Sequence, residues 1–176
     1  MDVQELRDIQ TSLAQVPRSV ESLVAAAPAE ALHWREADGH WTIVEVLCHL
    51  ADGEITDWMP RVERILSGGG RFVPYDREGG FSRYRGWTAE QLVGEFGQLR
   101  RANLVTLETL QLSAAHLSLP GEHPELGPVT LGHLLATWAT HDMAHVAQIS
   151  RILTRSLGRH VGPWTKYFSL LQGGAA

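Results

Sequence analysis

Apolar residues recur at helical spacing in four long stretches of the chain, and no stretch alternates polar and apolar residues convincingly enough to predict a strand. The first stretch covers about residues 3–26 through Val3, Leu6, Ile9, Leu13, Val16, Val20, Leu23 and Val24. Pro17 falls inside it, and its missing N–H and bulky ring predict a kink or a split. The second runs from a capping box of Thr42 and Glu45 to about Leu66, where Ser67-Gly68-Gly69-Gly70 ends it. The third opens on the same kind of box, Thr88 with Gln91, and carries an inner stripe of Leu92, Phe96, Leu99, Asn103, Thr106, Leu107 and Leu110. The fourth is capped by Thr130 and runs through Leu131, Leu135, Trp138, His145, Ile149 and Ile152 to Gly158. Pro28–Leu32 predicts one extra turn. Gly162-Pro163 predicts a short final helix ahead of a flexible tail, Gln172–Ala176.

Four amphipathic helices without a sheet predict an all-α four-helix bundle, taken as one domain over residues 1–176. The connections are uneven in length, so strict up-down-up-down order does not follow. In the loop at 33–41, Trp34 and Trp41 are expected to pack over a bundle end. The connection at 71–87 is long for a compact domain and is expected to fold over one end as a lid. Residues 114–129 read as a second long loop. Gly53 lies mid-helix, where glycine is less favourable than alanine by ~1 kcal/mol, so a helix or ligand should approach closely there.

At 44% hydrophobic and 20% charged residues, the chain can bury a sizeable core. A net charge of −5 argues against a phosphate-backbone partner. Arg61, Arg64, Arg83, Arg85, Arg100 and Arg101 read as solvated helix faces rather than a patch. Cys48 is the only cysteine, which rules out an intrachain disulfide and fits a reducing cytoplasm. The polar start Met1–Arg7 does not read as a signal peptide. No apolar run approaches the ~20 residues that span a bilayer.

The chemistry concentrates in Ala139-Thr140-His141-Asp142-Met143-Ala144-His145-Val146-Ala147-Gln148. On a helix, His141 and His145 lie one turn apart with Cβ atoms ~5–6 Å from each other. Two imidazoles at that spacing can bind one divalent metal. Leu134, Thr137, Trp138 and Gln148 share their face, so it points inward, and an unpartnered buried imidazole costs about 1–3 kcal/mol. His49 is the best third ligand. Three neutral imidazoles leave coordination positions open, which suits a catalytic site better than a closed structural one; zinc, nickel and iron fit such ligands better than manganese. Glu45 reads first as a cap and only second as a base. Asp52 and Asp142 are candidates to orient an imidazole N–H. Cys48 points ~100° away from His49 and reads as core. Tyr75, Arg77, Arg83 and Tyr84 are candidates to receive an anionic substrate. His33, His40, His116, His123, His133 and His160 lie in loops or near helix ends and read as surface residues. No nucleophile or general base stands out.

Two motifs extend this reading. Trp41-Thr42-Ile43-Val44-Glu45-Val46-Leu47-Cys48-His49-Leu50-Ala51-Asp52 resembles the second-helix motif of the DinB-like superfamily, and His141-Asp142-Met143-Ala144-His145-Val146-Ala147-Gln148 resembles its fourth-helix motif. The resemblance implies an up-down-down-up bundle, often a homodimer. It also implies one divalent metal, commonly zinc or nickel, on the positions of His49, His141 and His145. The superfamily includes S-transferases and isomerases that use mycothiol or bacillithiol, proteins taken for metal-dependent hydrolases, and many members without a known activity. A metal-dependent transferase or hydrolase acting on a small molecule is therefore expected, with a low-molecular-weight thiol as one cosubstrate. The alternative is a non-catalytic metal-binding or dimerisation module with a stress-related role.

Overall fold

The computed structural model describes residues 1–172; the remainder of the expected tail, 173–176, lies outside the described residues. Helix α1, Val3–Ala25, starts at an Asp2–Glu5 capping box and buries Leu6, Leu13, Val16, Val20 and Val24. Contrary to the expected split, it runs unbroken through Pro17. Proline has no N–H to offer the carbonyl four residues back, so Leu13 O loses its intrahelical donor. The Arg100 guanidinium supplies one instead, with Nη1 at 3.0 Å.

After a short α2, Ala29–Leu32, comes α3, Ile43–Thr56, on the expected Thr42–Glu45 box. The second apolar stretch is not one helix: it breaks at Asp57 (φ −116°, ψ −66°) and resumes as α4, Trp58–Leu66. Pro60 is the cause. Its ring would strike the carbonyl of Thr56 in a continuous helix, but in the first turn of a new one it is tolerated.

Helix α5, Gly79–Arg83, lies inside the long connection, and α6, Ala89–Thr109, starts at the Thr88–Gln91 box. Helix α7, Ala114–Leu117, precedes a small antiparallel hairpin, β1 Pro120–His123 and β2 Gly127–Thr130. This hairpin corrects the expectation of no strand. Its strands are four residues each, too short to display a period. Arg71 adds a parallel bridge beside Glu122, so the crossover begins pinned to the hairpin. Helix α8, Leu131–Leu157, is capped by Thr130. Short 3-10 turns follow, and Pro163 opens the one over Gly162–Tyr167.

Two apolar clusters fix the helix directions. In the first, Val16, Val20 and Val24 of α1 meet Ile43, Val46 and Leu47 of α3, Ala89, Leu92 and Phe96 of α6, and Ile149 and Ile152 of α8. In the second, Leu6 and Leu13 of α1 meet Trp58, Val62 and Ile65 of α4, Leu107 of α6, and Leu131, Leu135 and Trp138 of α8. Starts of α3 and α6 thus share one end of the bundle with the finishes of α1 and α8. The order is up-down-down-up, with α1 packed on α6 and α8, and α3 packed on α6.

Because α3–α4 and α6 run in the same direction, the chain must return along the whole bundle between them. The 71–87 segment therefore passes along the side of the bundle beside the middle of α3, rather than folding over an end as expected. It is held close: a Cβ on Gly80 would lie 2.6 Å from the Cys48 carbonyl oxygen, so only glycine fits. Gly53 is less crowded, though side chains approach it as expected: a Cβ there would lie 3.3 Å from Trp58 Nε1 and 3.6 Å from the Tyr75 hydroxyl. Trp34 and Trp41 pack on the first cluster, as expected for a bundle end. A buried polar layer separates the two clusters, and the histidines lie beside it.

Candidate metal centre

His49 comes from the middle of α3, and His141 and His145 from the middle of α8, on the side that the crossover covers. Their Nε2 atoms converge: His49 and His141 at 2.9 Å, His141 and His145 at 3.1 Å. Each Nδ1 faces an acceptor. His49 Nδ1 is 3.1 Å from the Arg77 carbonyl, His145 Nδ1 is 2.8 Å from Gln148 Oε1, and His141 Nδ1 is 3.3 Å from Asp142 Oδ1. Those acceptors hold a proton on each Nδ1, so three Nε2 lone pairs are left pointing at one another.

Burial, reinforced by the neighbouring imidazoles, pushes His49 down to about 3 and His145 down to about 4. The His49 and His145 rings are therefore neutral near pH 7 and do not relieve the contact by taking up protons. Nitrogens bound ~2.1 Å from one ion at right angles stand ~3.0 Å apart. The three histidines thus form a cluster that fits a divalent cation, with each ligand ring oriented by a second hydrogen bond.

Aromatic rings wall the cluster. Trp41 is 4.9 Å from the His49 ring and stacks at 6.3 Å on His145, while Trp58 meets His141 edge-on at 5.0 Å. Tyr75, from the crossover, packs on His49 at 5.5 Å, and its hydroxyl lies 3.3 Å from Nδ1.

Two clefts reach the cluster. One, of about 280 Å³, is lined by His49, His141, Asp57, Arg61, Tyr75, Arg77 and the hairpin residue His123. The other, of about 380 Å³, opens on His145 past Trp41, His40 and Arg151. Arg77 lines both. Larger grooves of about 770 and 760 Å³ follow α1 and α6, and neither reaches the histidines.

Other candidates separate sharply. Asp142 lies beneath His141. Glu45 closes its helix cap and pairs with Arg35 at 2.8 Å, away from the cluster. Asp52 pairs with Arg83 Nε at 2.6 Å, so both are engaged with each other beside a separate small cleft. Tyr84 is buried in the first apolar cluster against Trp87, outside both clefts, and burial pushes its phenol up to about 12. Arg77 exposes a guanidinium with no ion-pair partner among the described residues and sits 5.6 Å over the Trp41 ring. Cys48 is buried core, its thiol pushed up to about 11 by burial.

Two residues that sequence reasoning missed belong to the surroundings of the site. Asp57 is turned into the first cleft by the helix break, with Oδ1 2.7 Å from Arg61 Nη2, and burial raises its carboxyl. Pro60 was the available signal, since a proline in that position marks a helix start. Arg100, read as a surface residue, is instead a core residue at 1% exposure. Pro17, which frees a carbonyl that needs a donor, hinted at it.

The fold and its histidine cluster define a four-helix bundle of up-down-down-up type with three histidines placed so that they could hold a metal ion. A sequence profile of the DinB superfamily matches residues 12–149, and the chain belongs to that superfamily. Comparison with curated proteins gave no match. Among solved structures the chain is similar to YfiT from Bacillus subtilis, whose description calls it a probable metal-dependent hydrolase with an unusual four-helix bundle topology. That likeness has 21% identity and a TM-score of 0.76, over 89% of this chain and 90% of the other. No helix among the described residues is long and apolar enough to cross a membrane.

Proposed function

We propose that this single-domain protein is a metal-dependent enzyme acting on a small molecule, with His49, His141 and His145 holding one zinc or nickel ion. The observation that carries this reading is the convergence of three Nε2 atoms whose Nδ1 partners are all acceptors. Two clefts open on the same cluster, which favours a catalytic over a closed structural site. The description of YfiT supports hydrolysis as the reaction class.

A bound ion of this kind would supply Lewis acidity, lowering the pKa of a water or thiol so that its anion exists near pH 7. The chain's own residues supply the rest. Asp57 presents a carboxylate to the first cleft as the proton acceptor. Arg77 offers a guanidinium to an anionic group of the substrate from either cleft. Trp41 and Trp58 keep water from the flanks of the cluster, and the Arg77 carbonyl and Gln148 hold the rings in place.

A second reading, transfer from a low-molecular-weight thiol, is favoured by the two clefts on either side of Arg77, one for each substrate. Buried Cys48 cannot supply that thiol. The remaining expectations join this reading: a cytoplasmic homodimer without a nucleic-acid partner.

Plasma mass spectrometry of the purified protein beside His141→Ala tests the core of the proposal. The expected result is about one zinc or nickel per chain, lost in the variant. Ester hydrolysis and thiol transfer, each assayed with and without added metal, then separate the two reactions. Absence of metal after reconstitution with both ions overturns the proposal.

A further inference from the structure

Beneath His141 lies a second buried polar cluster that the chemistry above does not use. Arg100 of α6 is enclosed by Glu54 of α3 and Asp142 of α8, and all three side chains are at most 1% exposed. Arg100 donates from Nη2 to Glu54 Oε1 at 2.6 Å and from Nε to Oε2 at 3.1 Å. Asn103 Nδ2 and Trp138 Nε1 also donate to the Glu54 carboxylate, at 3.0 and 3.2 Å. Burial raises the Glu54 carboxyl, and these donors act against that burial in favour of its ionised form. On the other side, Arg100 Nη1 stands 2.6 Å from Asp142 Oδ2 in ion contact without hydrogen-bond alignment, its directed bond going to Leu13 O. Asp142 Oδ1 faces His141 Nδ1.

Two features of this arrangement concern the histidines. Two carboxylates around one guanidinium leave one buried negative charge uncancelled, directly behind His141. Asp142 is also immobilised by its ion contact and cannot swing away from the imidazole it faces. We propose that Arg100 and Asp142 are positioning residues for the three-histidine site: Arg100 fixes Asp142, and Asp142 holds the His141 proton on Nδ1 and gives the layer a negative charge that a divalent cation neutralises. This rests on the metal reading above. It assigns to Arg100 an effect on metal affinity, though nothing in its sequence context suggests one.

Carboxylates behind a metal-bound imidazole contribute about 10–100-fold to affinity. The test is the zinc dissociation constant, from competition with a chromogenic chelator, for wild type, Asp142→Asn, Glu54→Gln and Leu107→Ala. Leu107 is buried core of α6, remote from the histidines in sequence, and its truncation lowers stability without altering the charged layer. Cobalt substitution adds a ligand-field spectrum that reports ring geometry and that general destabilisation does not move.

Zinc binding weakened at least tenfold in Asp142→Asn with a shifted cobalt spectrum, but within twofold of wild type in Leu107→Ala, is the expected pattern. Asp142→Asn within twofold of wild type overturns the inference while leaving the metal site standing. Should Asp142→Asn fail to fold, Glu54→Gln decides. It removes the same charge without touching His141, is expected to weaken zinc severalfold with the spectrum unchanged, and at wild-type affinity overturns the charge argument. Failure of wild type to bind zinc, nickel or cobalt overturns the metal reading itself, and this inference with it.

Discussion

Two polar clusters are buried side by side in this bundle, and they solve the same problem in opposite ways. In the charged cluster, Glu54, Arg100 and Asp142 meet partners of opposite sign, and Asn103, Trp138 and the Leu13 carbonyl absorb most of the remaining hydrogen-bonding capacity. Its ion contacts and nearly all of its hydrogen bonds are made within the protein, with two carboxylates around one guanidinium. In the histidine cluster every outward-facing nitrogen has its partner, but the inward Nε2 atoms have only each other. A cation from outside would complete it. The lesson is that burial alone does not mark a functional site; the distinguishing mark is a set of aligned, unsatisfied donor atoms of one kind.

Breaking the closed cluster should have the largest effect. Arg100→Met leaves two buried carboxylates and the Leu13 carbonyl without their cation, and removal of one partner from a buried pair typically costs about 3–5 kcal/mol. Urea unfolding of the metal-free protein should show a loss of that order. A loss below about 1 kcal/mol, the scale of an exposed ion pair, means the cluster is hydrated and the comparison fails.

The open cluster should instead respond to its ligand. Zinc at about 100 times its dissociation constant should stabilise the wild type by about 2.7 kcal/mol, and a chelator should reverse the gain. In His145→Ala the zinc-dependent shift of the melting temperature should nearly vanish. A retained shift would place zinc elsewhere.

Acid should also distinguish the clusters. His49 and His145 have folded values depressed to about 3 and about 4, below the ordinary value near 6.5. Below about pH 6.5 the unfolded chain takes up protons that the folded protein refuses, so stability is full above that pH and falls beneath it. For metal-free protein the loss between pH 7 and 5.5 should be on the order of 2 kcal/mol. His49→Gln should flatten the slope, whereas a slope unchanged in that variant would assign the proton uptake to other groups.

The smallest effect sharpens the contrast. Thr42→Ala removes the N-cap of the helix that carries His49 and should cost about 1 kcal/mol. Zinc affinity should not change, because α3 keeps its packing around the cluster. A matching fall in affinity would show that the site depends on the stability of α3 as a whole.

Much of this architecture was legible in local sequence. Thr42, Thr88 and Thr130 cap the helices they were expected to cap, and His141 and His145 share a face because a helical turn puts them there. The Pro60 break went unread because apolar spacing continues across it, and with it went Asp57. The hairpin was too short to carry a pattern. These signals act over one or two turns, within reach of periodicity and capping rules.

Tertiary structure decided the rest. His49 meets His141 across 92 residues, and Arg100 reaches Glu54 across 46 and Leu13 across 87. An arginine in an amphipathic helix looks the same in sequence whether it faces water or a buried pair of carboxylates. Its environment is set by which helices run parallel. That choice also sent the 71–87 segment along the bundle and brought Tyr75 and Arg77 to His49. The amino-acid sequence by itself determined where helices form and which residue types can bind a metal, because those depend on neighbours a few residues away. Only the packed bundle decided which carboxylates and arginines surround the histidines, because burial and charge pairing are properties of segments that meet only after the chain has folded.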